Sequence, residues 1–306
     1  MKFSFTVFTL LLINSLSAQT PKASAGSIQH FENFKSKYVD ARNVDVWLPE
    51  GYDKTKKYDV LYMHDGQMLF DSAITWTKVA WDVDEMATKL SRAGKIREVI
   101  VVGIWNSGKG RHSDYFPQKP FETLTQAEKD SVYSAARSNG FSVFNGYKIH
   151  SDDYLKFIVL ELKPLIDKQF STKTGPKHTF IAGSSMGGLI SIYAVCEYPK
   201  VFGGAACLST HWPGIFTMVN NPVPDAMFAY LKTHLPKPRK TKIYFDYGDQ
   251  TLDAMYPPLQ RQVDVIMRQK GFKPKHWITR FFPGENHSEV SWRKRLDVPL
   301  LFLLGK

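Results

Sequence analysis

Three features of the sequence predict an α/β architecture, a mostly parallel sheet covered by helices on both faces. Short apolar runs rich in β-branched residues recur along the chain. Longer segments with apolar residues at 3.6-residue spacing stand between them. Strand alternating with helix implies parallel strands joined by helical crossovers. The third feature is bulk. The chain has 306 residues, 43% hydrophobic and 23% charged. That is an ordinary folded composition, long enough to bury a sizeable core without disulfides. Two cysteines rule out a disulfide framework and a zinc site built mainly on Cys.

Residues 1–18 read as an export signal. Lys2 supplies a positive start, residues 3–13 are apolar, and Ser15-Leu16-Ser17-Ala18 offers small residues for cleavage before Gln19. The apolar run is too short to span a bilayer comfortably. The alternative is a retained amphipathic anchor, and no Cys follows the run to suggest a lipoprotein. The expected product is residues 19–306, exported to the periplasm or beyond, with no stable membrane anchor.

Residues 44–48 alternate polar and apolar, as a half-buried strand does. Runs 60–63, 99–104, 179–182 and 243–245 are continuously apolar, which suits strands covered on both faces. Leu155, Ile158, Val159, Leu162, Leu165 and Ile166 follow helical spacing, with Ser151 and Asp152 available as caps. Pro164 falls inside that pattern and predicts a kink. Leu259, Val263, Ile266 and Met267 mark another helix, closed by Gly271. Residues 106–150 break the rhythm. They are polar and Gly/Ser/Lys-rich at first, then carry Thr125-Gln126-Ala127-Glu128, a capping box. This stretch reads as an insertion near the carboxyl edge of the sheet within a single domain.

The strongest chemical signal is Gly183-Ser184-Ser185-Met186-Gly187, a G-x-S-x-G pattern after the strand at 178–182 and before the helical pattern at 188–198. A serine on such a strand–turn–helix junction projects its hydroxyl above the sheet, at the positive end of a helix. A serine hydroxyl is a weak nucleophile and needs a base. His287 follows the last strand, at 276–281, and is the candidate base. His276 stands at the wrong end of that strand. His211, after the strand at 205–208, reads as a substrate contact or surface residue, with base as a weaker role. The acid is expected after the strand at 242–246. Asp253 is preferred over Asp249, because the loop needs several residues to turn back towards His287. The expected oxyanion donors are the backbone N–H groups of Met186 and Gln67, the latter after the turn His64-Asp65-Gly66.

On these residues the chain resembles the esterase D-type esterases of the α/β-hydrolase superfamily, near feruloyl and acetylxylan esterases of carbohydrate esterase family one and enterochelin-type esterases. The resemblance rests on residues 61–71, Gly103-Ile104-Trp105-Asn106, Arg111 with Asp114-Tyr115-Phe116-Pro117, residues 183–188, and 284–289 with Trp292. It spans about residues 40–304. It implies an α/β-hydrolase fold and ester hydrolysis through Ser185 and His287, with no cofactor. Family members often carry Gly-Thr where this chain has Gly248-Asp249, so the acid stays open between Asp253 and Asp249. The implied substrate is a small-molecule or carbohydrate ester of acetyl or feruloyl type. A siderophore-type esterase, an acyltransferase and a non-catalytic carbohydrate-binding relative are the alternatives. The histidines lack H-E-x-x-H and close ligand spacing, so no metal is expected.

Arg111, Tyr115, Trp105, His211 and Trp212 follow strand ends, where ligands gather in open α/β sheets, and are expected to line the cleft. For Trp105 and Trp212, core packing is an equal reading. Cys196 and Cys207 read as core residues, free or joined to each other. The net charge is +11, from 40 basic and 29 acidic residues, which raises a polyanion partner. Its densest run, at 237–242, precedes a strand and so stands at the amino end of the sheet. It reads as a solvated face, not a nucleic-acid site. Arg111 and His211 are the residues placed to meet an anionic substrate.

Overall fold

The computed structural model describes residues 20–306, so the export signal lies outside the described residues. Eight strands form one sheet: β1 Ser27–Phe34, β2 Arg42–Leu48, β3 Asp59–His64, β4 Val99–Ile104, β5 Thr179–Ser184, β6 Gly204–Leu208, β7 Lys242–Tyr247 and β8 Trp277–Phe281. Their spatial order is β1-β2-β4-β3-β5-β6-β7-β8. β1 pairs antiparallel with β2, and β2 antiparallel with β4. All pairs from β4 to β8 are parallel. β1 was not anticipated: half of its residues face solvent, and Ser27-Ile28-Gln29-His30-Phe31-Glu32 carries too few apolar positions to stand out.

Eleven α-helices are described: α1 Val83–Arg92, α2 Arg111–Tyr115, α3 Gln118–Glu122, α4 Gln126–Ser134, α5 Ser151–Lys156, α6 Lys163–Gln169, α7 Met186–Glu197, α8 Val223–His234, α9 Tyr256–Gln269, α10 Glu289–Lys294 and α11 Asp297–Leu304. Successive side chains of a strand point to opposite faces, so each strand feeds two cores. Val60 and Tyr62 of β3 pack with α5 to α9, on one face. Leu61 and Met63 pack with α1, α10 and α11 on the other. α7 is buried on all sides, which matches its uniformly apolar sequence.

The insertion folds as α2, α3 and α4. Its Phe116, Phe121, Val132 and Phe144 join the first core. Thr125 and Glu128 cap α4 reciprocally, as the box predicts. One local expectation fails. Ser151 and Asp152 do not cap α5: the Ser151 hydroxyl accepts from the Gln118 N–H at 3.0 Å, and Asp152 accepts from the Tyr193 hydroxyl at 2.5 Å. Pro164 is accommodated by a π-helical segment, Phe157–Leu162, in which the Lys163 N–H reaches the Ile158 carbonyl five residues back. A wider turn absorbs the missing proline N–H by shifting the bonding register. Cys196 and Cys207 are buried and free. Among the described residues, no helix is long and apolar enough to cross a membrane.

Candidate active site

The parallel register brings the carboxyl ends of β3, β5, β6, β7 and β8 to one edge, and their loops build the site. At β5, Ser185 has φ 58° and ψ −122°, outside the regions favoured by L-residues. Such strain, of about 1–3 kcal/mol, persists only where the surroundings enforce it. Here Gly183 leaves the room that the turn needs. A Cβ on Gly183 would meet the Gly187 carbonyl carbon at 2.9 Å. The Ser185 N–H donates to the Leu208 carbonyl at 2.9 Å, and the Ser185 carbonyl accepts from His211 N–H at 3.2 Å. Met186 opens α7, so its N–H has no acceptor within the helix.

Across the edge, His287 Nδ1 lies 2.6 Å from Asp253 Oδ1. Asp253 is fully buried. Its second oxygen accepts from the Ser209 hydroxyl at 2.6 Å and the Gly248 N–H at 2.7 Å. Burial works to raise its pKa, but the bonds from His287, Ser209 and Gly248 outweigh it and hold the carboxyl below its usual value. Asp249 instead accepts from the Gly284 N–H at 2.8 Å. Ser209 Oγ also accepts from Trp292 Nε1 at 3.0 Å and Arg295 Nη2 at 2.9 Å. Arg295 in turn holds buried Asp246 at 2.8 Å. The two loops are stitched by bonds from the Asp249 and Gln250 N–H groups to the Glu285 carbonyl. Ser185 and His287 line one cleft of about 340 Å³.

A family model described as "Putative esterase" matches residues 37–303. The chain belongs to this esterase family. It is similar to the protein YbbA of Bacillus subtilis, 23% identical over 273 residues, 87% of this chain and 93% of that one. It is also similar to an endo-1,4-beta-xylanase/feruloyl esterase of Xylanibacter ruminicola, 24% identical over 280 residues, 89% of this chain and 30% of that longer protein. A solved CE1 ferulic acid esterase of Anaeromyces mucronatus shares the fold, with a TM-score of 0.61 at 16% identity, over 93% of this chain and 94% of that one. This chain is therefore an ester hydrolase with an α/β-hydrolase fold.

In this esterase Gln67 lies in a 3₁₀ turn, Gly66–Met68, where its N–H precedes the first internal bond. The left-handed backbone of this turn falls at Asp65, with φ 57°, and not at Gly66. Gly66 is required for a different reason: a Cβ there would meet the Gly103 carbonyl carbon at 2.5 Å. Arg111 reaches the cleft, but Asp65 grips its guanidinium with two bonds, of 2.6 and 2.7 Å. Its charge is matched by that carboxylate.

Four other expected cleft residues stand behind the wall. Tyr115 is fully buried beneath Arg111, its hydroxyl accepting from the Asp65 N–H at 3.2 Å. Trp105 turns away, its indole N–H bound to Asp45 at 2.5 Å. Trp212 is a core residue, bonded to Gln260 and packed on Phe228 and Phe245. His211 is fully buried, with Nδ1 2.8 Å from the Tyr256 hydroxyl, and burial pushes its pKa well down. An imidazole with no exposed surface does not meet substrate, which corrects its expected place in the cleft. The cleft is instead lined by Trp76, Trp81, Phe216, Arg137, Glu289 and Trp292. Burial raises the pKa of Glu289. Glu289 and Trp292 fall in the segments that carry the resemblance, whereas nothing in the local sequence marked Trp76, Trp81, Arg137 or Phe216, which come from scattered loops.

Proposed function

We propose that this esterase is an exported serine carboxylic-ester hydrolase that removes acetyl or feruloyl groups from acylated carbohydrate. The 2.6 Å contact between His287 Nδ1 and Asp253, beside a strained Ser185 in the same cleft, carries the reading. With Nδ1–H bound to Asp253, the Nε2 lone pair of His287 is left to take the Ser185 proton. The serine oxygen then attacks the ester carbonyl. The N–H groups of Met186 and Gln67 receive the developing oxyanion. Imidazolium His287, stabilised by Asp253, returns the proton to the leaving alcohol, and water repeats the sequence on the acyl-enzyme. The step needs no cofactor. The exposed ring of Trp76 suits a sugar ring or a phenolic acid. Two similar proteins are named as feruloyl or ferulic acid esterases, which supports the acyl class. Export rests on residues 1–18.

The test is turnover of acetylated xylan, methyl ferulate, p-nitrophenyl acetate and a tricatecholate siderophore, with fluorophosphonate labelling in parallel. Ser185→Ala should lose labelling and lower kcat by about 10⁴ to 10⁶. Retained turnover in that variant refutes the mechanism. Hydrolysis confined to the siderophore refutes the carbohydrate assignment. Acyl transfer to an added sugar in preference to water refutes hydrolysis as the main reaction.

A further inference from the structure

One cation of the cleft has no counterion. Arg111 is matched by Asp65, and His112, also in the wall, is neutral because burial holds its pKa down to about 3. Arg137 is different. It comes from the insertion, on a short hairpin closed by the Ala136–Ser142 bridge and the Arg137 N–H bond to Phe141. Its guanidinium lies over the Phe216 ring, 4.8 Å from the centroid, which fixes it against the cleft wall. Among the described residues no carboxylate pairs with it. The charge that acts on it is that of Arg111, of like sign. Glu289 is the other acid of the cleft, and it stands with Asp65, His287 and Arg111. Behind the wall a row of rings runs from His287 to Phe216. His287 meets Tyr256 at 5.8 Å, Tyr256 meets His211 at 5.9 Å, and His211 meets Phe216 at 5.3 Å.

We infer that the natural ester carries a carboxylate, and that Arg137 on its Phe216 platform receives it. A guanidinium offers a carboxylate two parallel bonds, and a position already fixed by stacking loses little freedom on binding. This rests on the hydrolase reading above and narrows it to an anionic ester. The carboxylate has two chemical sources, a uronic acid on the sugar side or a dicarboxylic half-ester on the acyl side.

The experiment compares kcat/KM within matched pairs. On the alcohol side the pair is the O-acetyl methyl glycoside of glucuronic acid against that of glucose. On the acyl side it is monomethyl succinate against methyl butyrate. The charged member of at least one pair should be favoured about tenfold at low salt, and the preference should shrink in 0.5 M NaCl. Arg137→Gln should collapse that ratio to near one, and Arg137→Lys should keep part of it. Thermal unfolding of both variants checks that they fold. Ratios near one in both pairs overturn the inference, as does a preference that survives Arg137→Gln. Turnover without charge preference overturns this inference alone. Loss of turnover on every ester overturns the hydrolase mechanism with it.

Discussion

Asp253→Asn separates the acid from its neighbour. The substitution keeps the shape of the side chain and exchanges one acceptor for an NH₂ group. Asp253 accepts three bonds, one at Oδ1 from His287 and two at Oδ2 from Ser209 and Gly248. The amide has two orientations. With its oxygen at the Oδ2 place, both of those donors stay satisfied, and the NH₂ faces His287 Nδ1. That nitrogen must then accept, its proton moves to Nε2, and the base faces Ser185 as a donor. With the amide reversed, NH₂ faces the Gly248 N–H and the Ser209 hydroxyl. Ser209 cannot turn to accept, because its oxygen already accepts from Trp292 and Arg295. The first orientation therefore wins, and the wrong tautomer is locked in. The expected loss in kcat/KM is about 10³ to 10⁴, or about 4–5.5 kcal/mol at 1.36 kcal/mol per decade. The assay is methyl ferulate or p-nitrophenyl acetate hydrolysis at pH 7, with Asp249→Asn alongside. Asp249 makes a surface bond to Gly284, so its variant should stay within about threefold, in line with a small exposed contact. Activity of Asp253→Asn within tenfold of the parent, with a large loss in Asp249→Asn, would refute the reasoning.

Two further outcomes follow from buried charge. Burial, supported by Arg111, holds His64 and His112 down to about pKa 3, whereas an unfolded histidine titrates near 6.5. The unfolded chain binds the extra protons, so stability should fall as pH drops from about 6.5 towards 3, by up to about 1.4 kcal/mol per unit for each histidine. Urea unfolding at pH 4.5, 5.5 and 7 reads this, and a flat profile contradicts the two neutral histidines. Arg295→Met should destabilise by about 3–5 kcal/mol, since it leaves Asp246 buried without its cation. A denaturation midpoint unchanged in urea would show that the pair is not held as described.

Strand and helix periods were legible because burial on two faces leaves continuous apolar runs such as Val99-Ile100-Val101-Val102. The elbow was legible because close backbone approach demands glycine at 183, and a strand and helix flank the G-x-S-x-G pattern. Loop length pointed to Asp253 as the neighbour of His287, although nothing in the sequence shows that Ser209 and Gly248 grip it. The wall of the cleft was not legible. Standing after a strand end places a residue near the edge but does not fix which way its side chain turns. Trp212 and Tyr115 turn inward because large rings fill the core there. Arg111 was read as free because Asp65 is 46 positions away. Tyr256, which touches both His211 and the Ser185 side chain, looks in sequence like an ordinary helix start.

The backbone of Ser185 has a thermodynamic consequence beyond chemistry. At φ 58° a glycine would rest easily, whereas serine and alanine do not. Ser185→Gly should therefore unfold at a higher temperature than Ser185→Ala, by about 1 kcal/mol of relieved strain, although both lack the nucleophile. Stability and reactivity pull in opposite directions at this one residue. A copy of the chain released from hydrolysis would gain by exchanging this serine for glycine. Keeping serine in a turn better suited to glycine is a standing penalty, and the nucleophilic role proposed for Ser185 would offset it.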